Sequence, residues 1–186
     1  MKRSIKKVAV IGSGIMGSGI ACHFANIGVE VLLLDIIPNL LTSDEEKKGL
    51  TLESKIVRNR LVNEHLANSL KSKPSPIYNQ KFASRITTGN TTDDLAKIAN
   101  VDWIIEVVVE RLDIKHSIYS NIENYLDDNA ILSSNTSTIP RSSLVKGISN
   151  TFDGTNIRFS KFFAQFSNMN VNGSFPYNGF VSPNER

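Results

Sequence analysis

The sequence predicts an α/β fold, a doubly wound parallel sheet, and three observations carry that prediction. Val8 to Ile11 is a short, apolar run rich in β-branched residues. It leads at once into Gly12-x-Gly14-x-x-Gly17, with helix-like spacing at Ile15, Ile20, Ala21, Phe24 and Ala25 behind it. A second apolar run, Val29 to Leu34, ends at Asp35, 18 residues after Gly17. From there strand-like and helix-like segments alternate, which implies parallel pairing through right-handed crossovers.

Each glycine of the first segment has a separate task. Gly12 lets the chain turn sharply out of the strand, Gly14 leaves the backbone open to a pyrophosphate, and Gly17 lets helix and strand pack closely. The helix N-terminus offers free N–H groups and the positive end of its dipole to the phosphates. Asp35, at the tip of the second strand, is placed to accept hydrogen bonds from the ribose hydroxyls of an adenosine and to repel a 2′-phosphate. Ile36 and Ile37 follow it instead of an arginine, so NAD is expected rather than NADP.

At 186 residues the chain is one domain, or one domain with a ragged end, and 40% hydrophobic with 21% charged residues suits a globular chain with a proper core. No run approaches the length needed to span a bilayer. Lys2, Arg3, Lys6 and Lys7 precede an apolar stretch, but glycines break it and no small-residue cleavage site follows, which favours a strand over a signal peptide. Cys22 is the only cysteine, which leaves no intrachain disulfide and no cysteine cluster for a metal. A small buried hydrophobe in a reducing cytoplasm is its expected use. The net charge of +3 suits anionic cofactors and substrates. The basic residues are scattered and not interleaved with aromatics, so nucleic acid is not an expected partner.

After Asp35 and Pro38, the polar stretch from Thr42 to Lys48 begins a helix with Ser43 or Asp44 as its cap. Ile56, Leu61, Leu66 and Leu70 recur among charged residues and predict one long amphipathic helix, which Lys71-Ser72-Lys73-Pro74-Ser75-Pro76 stops. Arg85 to Gly89 reads as a short strand, and Thr91 or Thr92 as the cap of a brief helix through Leu95 and Ile98. Val101 to Val109 is the strongest strand signal after the first and ends at Glu110. Leu112, Lys115, Ile118, Tyr119, Ile122 and Leu126 trace one helix face, Asp127 to Asn129 closes it, and Ala130 to Ser133 is another buried strand. Past Gly147 the pattern fails. Seven of the nine phenylalanines follow residue 150 among many Asn, Ser and Gly residues, and only a short strand near Asn156 to Phe159 stands out.

The glycine loop, Asp35, the run Glu106-Val107-Val108-Val109-Glu110 followed by Lys115, and Ser134-Asn135-Thr136-Ser137 closely resemble, in this order, the NAD-binding domain of 3-hydroxyacyl-CoA dehydrogenases. The resemblance covers about residues 5 to 147. Val57-Arg58-Asn59-Arg60 and Pro74-Ser75-Pro76-Ile77-Tyr78 look most like the long bacterial β-oxidation proteins in which this dehydrogenase precedes an enoyl-CoA hydratase module. It implies a Rossmann-type sheet, NAD as cofactor, an acyl-CoA substrate and a cytoplasmic place in fatty-acid metabolism. In that family a hydride passes from C3 of a 3-hydroxyacyl-CoA to the nicotinamide, and a histidine paired with a glutamate takes the hydroxyl proton. The resemblance implies that Gly12, Gly14, Met16 and Gly17 wrap the pyrophosphate and Asp35 the adenosine ribose. It also implies that Val108 and Val109 belong to the cofactor-binding set and that Glu110 and Lys115 hold the nicotinamide-side ribose. Asn135 would shape the next turn, and Ser137 would contact the substrate beside the nicotinamide.

The family's proton acceptor belongs to a His-Phe-Phe-Asn-Pro motif after the sixth strand. Here the histidines, His23, His65 and His116, all precede Ser137, and Arg158-Phe159 and Phe162-Phe163 echo that motif without one. After Ser137 the acids are Asp153 and Glu185, neither at matching spacing. The helical carboxy-terminal domain, which in the family closes over the acyl chain and makes the dimer, is not expected here. The expectation is therefore an NAD-binding domain over 1–147 and a divergent, poorly ordered tail over 148–186, the product of a truncated or frame-shifted gene. Such a chain binds NAD but is crippled in turnover. Two other readings compete, a non-catalytic NAD-binding module and a dehydrogenase for a small β-hydroxy acid. The Ser134-to-Ser137 motif and the two glutamates argue against the latter. Arg58, Arg60, Lys71 and Lys73 are candidates for CoA phosphates or, as plain helix charges, for solvent.

Overall fold

The structure is a computed structural model and describes residues 4–126, 130–144, 146 and 160–161. Strand β1 (Lys7–Ile11) alternates, with Val8 and Val10 on one face and Ala9 and Ile11 on the other. Helix α1 (Ile15–Asn26) follows the glycine turn and ends in a Schellman cap. Gly28 adopts φ +91°, its N–H donates to Ala25 O at 3.2 Å, and Val29 N–H donates to Phe24 O at 3.0 Å. That turn feeds β2 (Glu30–Asp35), which pairs parallel to β1 along its length.

The next segment differs from the expected pattern in three places. Helix α2 (Ser43–Lys47) is capped by Thr42 rather than by Ser43 or Asp44. Thr42 Oγ1 accepts from Glu45 N–H at 3.3 Å while the Glu45 carboxylate accepts from Thr42 N–H at 2.8 Å, a reciprocal pair only an extended residue ahead of the helix can make. The single long helix is in fact two, α3 (Lys55–Arg58) and α4 (Arg60–Lys71). At the joint, Asn59 turns its side-chain oxygen to Asn90 Nδ2, 2.8 Å away at the end of β3 (Ile86–Asn90). Neither Thr91 nor Thr92 caps the brief 3₁₀ turn Leu95–Asn100. Asn90 Oδ1 instead accepts from the N–H groups of Thr92 and Asp93, at 3.0 and 2.7 Å.

Strand β4 (Trp103–Glu106) is shorter than the run from Val101 to Val109 predicts. Val107 N–H still donates to Ile11 O at 2.8 Å, but Val108 N–H donates to Glu106 Oε1 at 2.8 Å and leaves the ladder. A 3₁₀ turn over Gln80–Arg85, helix α5 (Leu112–Glu123), strand β5 (Ile131–Ser134), a short α6 (Arg141–Leu144) and β6 (Ser160–Lys161) complete the described elements. The segment from Asp127 to Asn129, the strand expected near Asn156 to Phe159 and the tail over 148–186, β6 apart, lie outside the described residues.

The six strands among the described residues are all parallel, in the order β3-β2-β1-β4-β5-β6, the Rossmann arrangement with its reversal between β1 and β4. Both faces of the sheet are covered, which is why β1, β2 and β4 read as nearly continuous apolar runs. One layer packs α1 and α4 against Val8, Val10, Val31, Leu33 and Ile105. The other packs α5 and α6 against Ala9, Ile11, Leu32, Leu34 and Ile104. The carboxyl ends of β1, β2, β4 and β5 consequently share one edge of the molecule, where ligands of such sheets bind.

Candidate functional site

At the end of β1, two glycines are sterically required. Gly12 sits at φ +101°, and a Cβ on it would lie 2.6 Å from Val107 O; a Cβ on Gly17 would lie 1.8 Å from Gly12 O. Strand, helix and the loop after β4 thus meet with no room between them. A Cβ on Gly14 would meet nothing within 4 Å, so the backbone there faces open space. Helix α1 starts at Gly14 with no side-chain cap, and Met16 and Ile15 are exposed on its first turn.

Asp35 is fixed beside this turn. Its Oδ2 accepts from Ser13 N–H at 2.8 Å and from the Ser13 hydroxyl, and its Oδ1 accepts from Ile36 N–H at 2.7 Å. Ser13 is itself fully buried. A carboxylate offers about four lone-pair sites, so one remains on Oδ1, and the side chain keeps 16% exposure. His65, from α4, places Nδ1 2.8 Å from Ser13 Oγ and 3.5 Å from Asp35 Oδ2. With the Ser13 proton directed at Asp35, Oγ accepts from the ring, which requires a proton on Nδ1.

A second group gathers at the ends of β4 and β5. Glu106 is 0% exposed and accepts from four donors: Lys115 Nζ at 2.7 Å, Val108 N–H at 2.8 Å, the Tyr119 hydroxyl at 2.7 Å and the Ser134 hydroxyl at 2.6 Å. Burial and the adjacent Glu106 charge push the Tyr119 phenol far above its ordinary range. Lys115, read from the sequence as facing a ligand, is 1% exposed, because its ammonium is enclosed by Glu106, by Val108 O at 3.4 Å and by Glu110 Oε2 at 3.4 Å. Glu110, whose side chain is 37% exposed, accepts on Oε1 from the Thr136 hydroxyl, from Thr138 N–H at 3.1 Å and from the Thr138 hydroxyl at 2.9 Å. Partial burial pushes its carboxyl up, but these hydrogen bonds and the Lys115 charge outweigh that and hold it down at about 2.

Of the remaining candidates, Val108 is half-buried, Val109 is exposed, and Asn135 N–H donates to Glu106 O at 2.8 Å at the end of β5. Ser137 is exposed beyond it. Arg58 pairs with Asp93 and Glu53, and Arg60 with Glu45, so both guanidinium groups already have carboxylate partners. His23 and His116 lie on α1 and α5, and His116 Nε2 is 2.8 Å from Ser143 O. Sequence reasoning missed Ser13, His65, Glu106, Tyr119, Thr136 and Thr138. Glu106 alone left a usable signal, as a charge inside a strand otherwise built of Ile and Val.

Comparisons with known proteins identify the family. The family model for the 3-hydroxyacyl-CoA dehydrogenase NAD binding domain matches residues 7–161. The chain is 51% identical over 152 residues to a Bacillus subtilis protein named "Probable 3-hydroxyacyl-CoA dehydrogenase", a match to 82% of this chain and 19% of that protein. It is 34% identical over 144 residues to the fatty acid oxidation complex subunit alpha of Pseudomonas putida, with 77% and 18% covered. The chain thus spans under a fifth of the length of these curated relatives. Among solved structures, 3-hydroxybutyryl-CoA dehydrogenase from Escherichia coli superposes with a TM-score of 0.55 at 25% identity, over 87% of this chain and 30% of that one. No helix among the described residues is long and apolar enough to cross a membrane. The chain belongs to the 3-hydroxyacyl-CoA dehydrogenase family, whose NAD binding domain it contains.

Proposed function

We propose that this chain binds NAD across the carboxyl ends of β1, β2, β4 and β5, as the cofactor-holding part of an enzyme that oxidises 3-hydroxyacyl-CoA to 3-oxoacyl-CoA. The observation that carries the reading is the uncapped start of α1 beneath open space at Gly14, with Asp35 held 2.8 Å from Ser13 N–H alongside. The donor set fits the cofactor. Backbone N–H groups and a positive helix end suit a diphosphate at Gly12, Gly14, Met16 and Gly17. The open lone pair of Asp35 suits a ribose hydroxyl and disfavours a 2′-phosphate, which selects NAD over NADP. Glu110, kept ionised by Thr136 and Thr138, suits the nicotinamide-side ribose, with Val108, Val109 and Asn135 bounding that end. Ser137, exposed beyond β5, is the residue we assign to the substrate oxygen. The cofactor, when bound, accepts the hydride from C3 of the substrate.

A reducing cytoplasm is the setting that suits the buried free thiol of Cys22. The chain carries no histidine after His116, and a general base contributes on the order of 10²–10⁴ in rate. Cofactor binding is thus expected without normal turnover. Titration calorimetry should give saturable NADH binding, and NADH mixed with acetoacetyl-CoA should lose little absorbance at the nicotinamide band. A protein that fails to bind NADH refutes the proposal, and turnover at an ordinary enzymatic rate refutes its second half.

A further inference from the structure

We infer that Glu106 is a positioning residue for Glu110, acting through the buried ammonium of Lys115, so that the nicotinamide end of the site is set from inside the core. The inference rests on the reading of Glu110 as the carboxylate that meets the second ribose. All the acceptor capacity of Glu106 is taken up: Oε1 by Lys115 and Val108 N–H, Oε2 by Tyr119 and Ser134. A carboxylate so saturated cannot reorient, and its donors come from α5, from the loop after β4 and from β5. Lys115 has three N–H donors and three acceptors in reach, Glu106 Oε1, Val108 O and Glu110 Oε2.

Two carboxylates therefore share one ammonium, one of them buried and the other half in solvent. The β5 loop binds Glu110 through Oε1 only, so Oε2, the oxygen facing Lys115, is the one with capacity left for a ligand hydroxyl. Lys115 thus acts on the reactive oxygen from behind. A purely structural role explains this poorly, since a buried ion pair replaced by well-packed apolar groups is often as stable or more so. What an apolar replacement cannot supply is a positive charge behind Glu110.

The test compares two probes. ADP reports on the glycine turn and Asp35, and NADH reports in addition on the second ribose. Glu106→Gln should weaken NADH by about tenfold or more, the effect of one charge-assisted hydrogen bond, while ADP affinity stays within about twofold. The double variant E106Q/K115M removes the ammonium that has lost its buried counter-charge and should regain the thermal midpoint lost in Glu106→Gln, yet still bind NADH weakly and ADP normally. Equal loss of both probes, or recovery of NADH affinity together with stability in the double variant, overturns the inference. A native chain that binds neither probe overturns the cofactor reading itself, and this inference with it.

Discussion

The two ends of the strand-tip edge are built from different materials. At β1 and β2 the shape is made by what is missing: Gly12 and Gly17 bring backbone against backbone, and a single half-open acid, Asp35, is held by the N–H and hydroxyl of the intervening Ser13. At β4 and β5 the shape is made by side chains, an interior carboxylate and ammonium supporting a second acid that reaches solvent. The first end is steric and answers to added volume. The second is electrostatic and answers to charge, hydrogen-bond donors and pH. One site can thus fail in two separable ways.

The largest effect should break the steric end. Gly17→Ala puts a methyl 1.8 Å from Gly12 O, against backbone that cannot yield, and should cost about 3 kcal/mol or more of stability in urea unfolding. If Gly17→Ala unfolds at the native midpoint, the contrast between the ends is wrong. Next, Asp35→Ala should weaken NADH by roughly 10- to 100-fold by calorimetry, the 1.5–3 kcal/mol of a hydrogen bond to a charged group, and narrow the preference over NADPH. The smallest effect belongs to the electrostatic end. Thr136→Val removes one donor from Glu110 and should weaken NADH only about threefold at neutral pH. Its sharper signature is in acid. Glu110 is held at about 2 against an ordinary 4.5, so its contribution to folding stability is complete above 4.5 and disappears as pH falls through about 2. With the hydroxyl gone, the folded value rises toward 4.5, and the difference in urea midpoint between variant and native chain should shrink as pH falls through that window.

The same contrast decides what could be read from residues alone. The β1 turn, α1 and Asp35 were legible because their requirements are local, namely an apolar run, glycine spacing and an acid one strand later. Glu110 and Lys115 were legible only through family resemblance, since a carboxylate and an ammonium five residues apart read equally well as solvated charges. Glu106 stood out only as a charge in a β-rich run; its role was hidden because its four donors come from Val108, Lys115, Tyr119 and Ser134, and that convergence exists only after the sheet has formed. For the same reason the helix break at Asn59 was hidden. Its partner, Asn90, lies 31 residues further along the chain.

The sheet order has a consequence for how the chain comes off the ribosome. Of the six described strands, the one made first, β1, ends up in the middle. β2 and β3 can be laid beside it, with α1 docked on top, before Trp103–Glu106 has left the ribosome. Throughout that interval the other flank of β1 is a bare row of peptide groups, flat and apolar, open to a neighbouring nascent chain. Aggregation during expression should therefore concentrate in the window between emergence of Asn90 and arrival of β4, and chains halted in that window should be the ones that chaperones hold.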